Sequence, residues 1–171
     1  SEEGNYFDEA SREKTGKNIL HVKTVEDSDV LREARNILFE ARERRVRPLL
    51  DDKILTDWNG LMIAALSKAG RAFNVKEYIE EAVRATEFII GRMWDGETLL
   101  HRYREDAAEI PGFLNDYAFM TWCLVELYQA TYEPRYLDYA SKLNDAMRLR
   151  FGDPRGGFYF TADNAEKLLT R

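Results

Sequence analysis

Two short stretches hold most of the side chains that could do chemistry. In RPLLDDKILTDWNGLMIAAL, residues 47–66, a cluster of Asp51, Asp52, Lys53, Asp57, Trp58 and Asn59 precedes a run with almost no charge. In GFLNDYAF, residues 112–119, Asn115, Asp116 and Tyr117 stand in the same relation to a second such run. Carboxylates supply a general acid or base, amides and a lysine orient hydroxyls, and indole or phenol rings stack on the apolar face of a sugar. The set therefore suits a polyhydroxylated ligand. Asp52 and Asp116 are the acid/base candidates, Lys53, Asn59 and Asn115 the orienting groups, and Trp58 and Tyr117 the stacking rings.

Each candidate competes with a plainer role. An Asp or Asn just before a helix caps its free amides, and negative charge there is favoured by ~0.3–1 kcal/mol. Asp57 and Asn115 are read as caps on that ground. In extended backbone Asp51 and Asp52 point to opposite sides, so only one of them, taken as Asp52, faces a ligand. Trp58 and Tyr117 can equally pack against the apolar helices that follow them. His101 in LLHRYR shares one side of a short strand with Tyr103. It is either a base at the mouth of the site or a spare histidine on a surface strand, and the second is the expectation. No metal site and no cofactor are expected. The two histidines and the single Cys123 lie far apart in sequence, no calcium-loop pattern occurs, and Cys123 reads as a small buried hydrophobe.

The elements that must position these groups repeat. After an irregular segment 1–27, with an extended piece expected around GKNILHVKT, apolar residues at three- and four-residue spacing predict an amphipathic helix over 29–45, capped by Asp27 or Ser28. A nearly uncharged helix is predicted over 57–73, then a striped one over 75–93, a WDGE turn and a short strand TLLHRYR. NDYAFMTWCLVELYQAT and EPRYLDYASKLNDAMRLRF then repeat the apolar and striped pair. A shift of 58 residues places Met62 on Met120, Leu66 on Leu124, Tyr78 on Tyr136, Ala82 on Ala140 and Asp95 on Asp153. A hairpin with one very apolar helix must stack on neighbours to bury it, and this period exceeds the ~33–47 residues of the common helical repeats. The fold class expected is all-α: consecutive hairpins of an (α/α)6 toroid, inner helices apolar and outer helices striped, with short β pieces between them. The hairpins are expected at about 57–93 and 115–151 within a partial toroid domain spanning 28–171. Such a chain holds about two and a half hairpins, and exposed inner-helix surface makes self-association the expectation.

Charge and length exclude several classes. With 31 acidic against 25 basic residues among 171, and the bases scattered among acids, nucleic acid is not an expected partner. Apolar runs such as residues 61–66 are far shorter than the ~20 residues of a membrane helix. A soluble protein of a reducing, cytoplasmic setting is expected.

RPLLDDKILTDWNGLMIAAL, GFLNDYAF and GGFYFT together resemble the C-terminal region of the spermatogenesis-associated protein 20 family, and GNYFDEASREKTGKNILH is similar to that family's linker into its helical region. The resemblance implies part of an (α/α)6 toroid similar to six-hairpin glycosidases and N-acylglucosamine 2-epimerases. A thioredoxin-like domain and the remaining hairpins of a longer chain are then the partners lacking here. It implies binding, with isomerisation or hydrolysis, of a sugar or similar polyol; the other reading is a non-catalytic helical scaffold for the thioredoxin-like domain or another protein. The family phrase RPHxDDK carries histidine where this chain has Leu49, and LDDYAF carries aspartate where it has Asn115. Both differences remove a titratable group.

Overall fold

In a computed structural model of the chain, residues 3–19, 21 and 28–165 are described. The chain divides into two compact units, Ser1–Leu50 and Asp51–Arg171. In the first unit, helix α1 (Asp29–Glu43) starts where Ser28 Oγ accepts from Leu31 N–H at 3.3 Å. The other expected cap, Asp27, and part of the expected extended piece near residues 16–24 lie outside the described residues. α1 buries none of its residues. This helix belongs to the first unit, and both hairpins belong to the second.

The second unit runs β1 (Ile54–Leu55), α2 (Thr56–Phe73), α3 (Lys76–Met93), β2 (Leu100–Arg104), β3 (Ala107–Pro111), α4 (Leu114–Thr131) and α5 (Arg135–Phe151). The two apolar helices are α2 and α4, the two striped ones α3 and α5. Their backbones repeat as the sequence does. α2 and α4 each end on a left-handed residue, Asn74 (φ 54) and Tyr132 (φ 59), whose N–H groups return to Gly70 and Tyr128 carbonyls. After the outer helices, the Asp95 carboxylate accepts the Glu97 and Thr98 amides, and Asp153, one period later, accepts that of Arg155.

α4 lies against α2, α3 and α5 and carries the centre of the core. Its Met120, Cys123, Leu124 and Leu127 are buried with Ile63 of α2, Ile89 of α3 and Leu143 of α5, each large side chain contributing ~1.5–3 kcal/mol of transfer free energy. α2 comes closest to α4 at Gly60, where a Cβ would stand 2.9 Å from the Phe119 carbonyl carbon. Only hydrogen fits there.

The strands form one antiparallel sheet in the order β1-β2-β3, with Ile54 opposite Tyr103 and Arg102 opposite Glu109. β3 is additional to the expected elements. Only Ala108 of its five residues is even half-buried, so it lacks the alternation that marks a strand. Its two-residue turn, Glu105 and Asp106, takes positive φ at both positions (50 and 60), matching the twist of the paired strands without glycine. Among the described residues no helix is long and apolar enough to cross a membrane.

Candidate functional site

Three elements meet at the start of the two inner helices. The first turn of α2 supplies Asp57, β2 supplies His101 and the first turn of α4 supplies Asp116; each offers an atom within 4.8 Å of the others. Asp116 organises the group. Its Oδ2 accepts the Phe113 N–H at 2.7 Å, capping α4. Its Oδ1 accepts the Asp57 N–H at 3.0 Å, satisfying a free amide at the start of α2. His101 Nδ1 lies 3.0 Å from both oxygens. The carboxylate therefore ties two hairpins and the sheet together while its residue is 0% exposed. Burial raises the Asp116 carboxyl above the ordinary carboxylate range, and His101 and the Phe113 amide pull the other way.

His101 is held on its other sides as well. Its side chain is 21% exposed, and its ring meets Phe113 edge-on at 5.2 Å, with Phe113 stacked on Phe160 at 5.3 Å. The β2–β3 register sets it opposite Ile110, which takes φ 67, a backbone conformation that β-branched residues avoid. The expectation of a spare surface histidine is thus corrected. The available signal was strand alternation, which put His101 with Tyr103; Tyr103 packs edge-on against Phe88 of α3 at 5.0 Å, so that side of β2 faces the helices.

The other candidates separate. Asp52 pairs with Arg104 at 2.8 Å and Lys53 with Asp51 at 3.2 Å, both at the far end of β2 from His101. Asp52 and Asp116 do not form one acid/base pair here. Asn59 Nδ2 donates to the Leu55 carbonyl at 2.8 Å, so its amide serves the backbone. Tyr117, expected to stack on a ligand, is 1% exposed; its hydroxyl accepts the Leu99 N–H at 2.9 Å and its ring lies against Phe151 at 5.2 Å. A ring so enclosed has no face to offer. Trp58 is 70% exposed beside Asp57, and Asn115 is exposed beside Asp116. The Asp57 side chain, expected to cap α2, accepts the Trp58 N–H at 2.8 Å.

Asp57, His101 and Asp116 are also the residue types that hold divalent cations. In this geometry His101 Nδ1 and both Asp116 oxygens are engaged with each other and with backbone amides, which is the arrangement of a hydrogen-bonded pair. Cys123 is buried, and burial pushes its thiol well up, as an inert core residue requires.

No protein-family model matches the chain. It is 34% identical over 136 residues to spermatogenesis-associated protein 20 of Mus musculus and 33% identical over 136 residues to that of Homo sapiens, covering 74% of this chain and 17% of each relative. Among solved structures it is similar to cellobiose 2-epimerase from Bacillus thermoamylovorans (TM-score 0.57, 20% identity, 62% of this chain and 29% of that one). A GH76 α-mannanase from Bacteroides thetaiotaomicron gives TM-score 0.54 at 16% identity over 61% of this chain and 30% of that one. These neighbours are (α/α)6 toroid enzymes, and the two hairpins here have that fold. The chain is thus a homologue of the spermatogenesis-associated protein 20 family, corresponding to a segment that makes up 17% of the length of those relatives.

Proposed function

We propose that the His101 end of this unit is part of a sugar- or polyol-binding site in which His101 transfers the proton. The observation that carries the reading is the buried Asp116 carboxylate on His101 Nδ1. With that carboxylate ionised, Nδ1 keeps its proton and Nε2 is the free base, a ring fixed in tautomer and orientation as a proton-transfer group needs. The same geometry favours isomerisation over glycoside hydrolysis. Hydrolysis calls for two carboxyl groups flanking the bond, one reachable by water, whereas every oxygen of Asp116 is already engaged and Asp52 is paired elsewhere. Epimerisation or isomerisation needs a base that takes a proton from the carbon beside a carbonyl and returns it, and an imidazole does this near neutral pH. In this reading the exposed Trp58 covers an apolar sugar face and the exposed Asn115 binds a hydroxyl. The sugar-enzyme names of the structural neighbours, which include D-mannose isomerase, support the ligand class.

The test is a titration of the protein with mono- and disaccharides followed by Trp emission, coupled to solvent-deuterium exchange at the carbon beside the sugar carbonyl. Saturable binding with exchange lost in His101→Gln supports the reading. Exchange unchanged in that variant would sink it. A second reading, a helical scaffold without catalysis, is favoured by one observation: Asp116 accepts two backbone amides and would be needed as a cap in any case. Binding of no sugar by the folded protein selects it.

A further inference from the structure

His101 and Phe160 hold the same place in successive repeats. After each outer helix the chain turns back on itself in the same way. Asp95 N–H donates to the Thr98 carbonyl and Trp94 bridges Leu99; Asp153 N–H donates to the Gly157 carbonyl and Gly152 bridges Phe158. The second turn is one residue longer, taken up by Gly156 and Gly157 at φ 106 and 86, a conformation open to glycine. Leu99 therefore falls on Phe158 and His101 on Phe160, where the 58-residue shift of the sequence would set Tyr159.

The first turn of α4 lies between the two. Phe113, its N-cap, meets the His101 ring edge-on and is stacked on Phe160 with 11° between the ring planes. The Phe160 carbonyl also accepts the Leu114 N–H at 3.0 Å, one of the free amides at a helix start. Phe160 thus grips that turn by ring and by backbone. It is itself held on both sides, since Tyr159 N–H donates to the Phe151 carbonyl at 2.7 Å and Asp163 N–H to the Arg150 carbonyl at 2.9 Å.

We propose that Phe160 is a positioning residue for His101: acting through Phe113, it fixes the direction in which the imidazole presents Nε2, a role that rests on the proton-transfer reading above. Asp116 alone does not complete that task. A contact at Nδ1 leaves the imidazole free to rock about it, and the Phe113 ring pressed against its side blocks the rocking. Phe113 can do so only while its own ring is held. Asp116 fixes its backbone amide, and the stacked Phe160 ring removes the remaining side-chain freedom. Every contact in this relay lies within the second unit. The place that carries the base in one repeat carries its support in the next.

The test is proton NMR of the 171-residue protein, with a double-mutant cycle on Phe113 and Phe160 and solvent-deuterium exchange at C2 of D-mannose and of cellobiose. The wild type is expected to show cross-relaxation between the His101 and Phe113 rings, and His101 ring-proton shifts displaced by the aromatic neighbour. Phe160→Leu removes the stacked ring and keeps the carbonyl on Leu114; with Phe160 54% exposed, the variant is expected to fold. It should weaken the cross-relaxation and move the His101 shifts, and Phe160→Tyr should restore both. The leucine variant should also lower kcat for exchange by roughly tenfold to a hundredfold with KM unchanged. In a Phe113→Leu background the same change should have no further effect, since Phe160 then has nothing to act through. Unmoved His101 ring signals in folded Phe160→Leu would overturn the proposal, and so would an undiminished effect in the Phe113→Leu background. A wild type that exchanges neither sugar would sink the proton-transfer reading alone, and the ring signals would still decide whether Phe160 holds His101.

Discussion

The two ends of β2 each set a basic side chain against a carboxylate, in opposite surroundings. At the turn end Arg104 meets Asp52 at 2.8 Å, with both side chains more than a third exposed to water. At the other end His101 meets Asp116, whose side chain is 1% exposed and holds two backbone amides besides. The first pair is loosely held and screened, so little depends on it. The second is desolvated and cross-linked to three elements, so its loss strands several donors at once. Proximity of opposite charges is common to both; enclosure is what makes one of them a structural joint and a candidate proton-transfer site.

Breaking the enclosed pair has the largest expected effect. Asp116→Ala leaves the Asp57 and Phe113 amides and His101 without their acceptor and is expected to cost about 3–5 kcal/mol in urea unfolding. Next comes the approach of helices that brings Asp116 to Asp57. Gly60→Val drives a side chain into the Phe119 backbone and is expected to cost about 1–3 kcal/mol by the same measurement.

Acidity separates the two ends further. Because burial raises the Asp116 carboxyl above the ordinary carboxylate range, the folded chain binds that proton more tightly than the unfolded chain. Its contribution to stability is therefore fully present below the ordinary carboxylate range and is lost as pH rises through the raised folded value. Asp116→Asn should flatten the fall in stability across that window, read from unfolding midpoints at successive pH values; an unaltered slope would assign the pH dependence to other groups. Asp52→Ala at the exposed end is expected to change stability by less than about 1 kcal/mol, and added salt should erase the difference.

Much of the scaffold was legible because its signal is periodic. The helices of both hairpins begin and end within one or two residues of the expected bounds, since Asn74, Pro134 and the apolar runs mark the boundaries chemically. The site was legible only in part. Asp116 was singled out for its place before an apolar helix, but nothing local showed that its oxygens would be taken by amides 3 and 59 residues away. Tyr117 looked like a ligand-stacking ring because a phenol beside a polar cluster has the same local pattern whether its hydroxyl meets a sugar or the Leu99 amide. His101 was set down as a surface residue because its partner lies 15 residues on, across a strand whose exposed face hides its own pattern. Pairings of this kind are tertiary, and periodicity does not carry them.

The proton-transfer role of His101 requires that Asp116 fix its ring with Nδ1 protonated and Nε2 free. Nitrogen-15 NMR of the histidine ring, at a pH where the imidazole is neutral, tests it most directly. His101 is expected to show an Nδ1–H tautomer that is lost in Asp116→Ala. An Nε2–H tautomer, or the averaged signal of a freely exchanging ring, would contradict it.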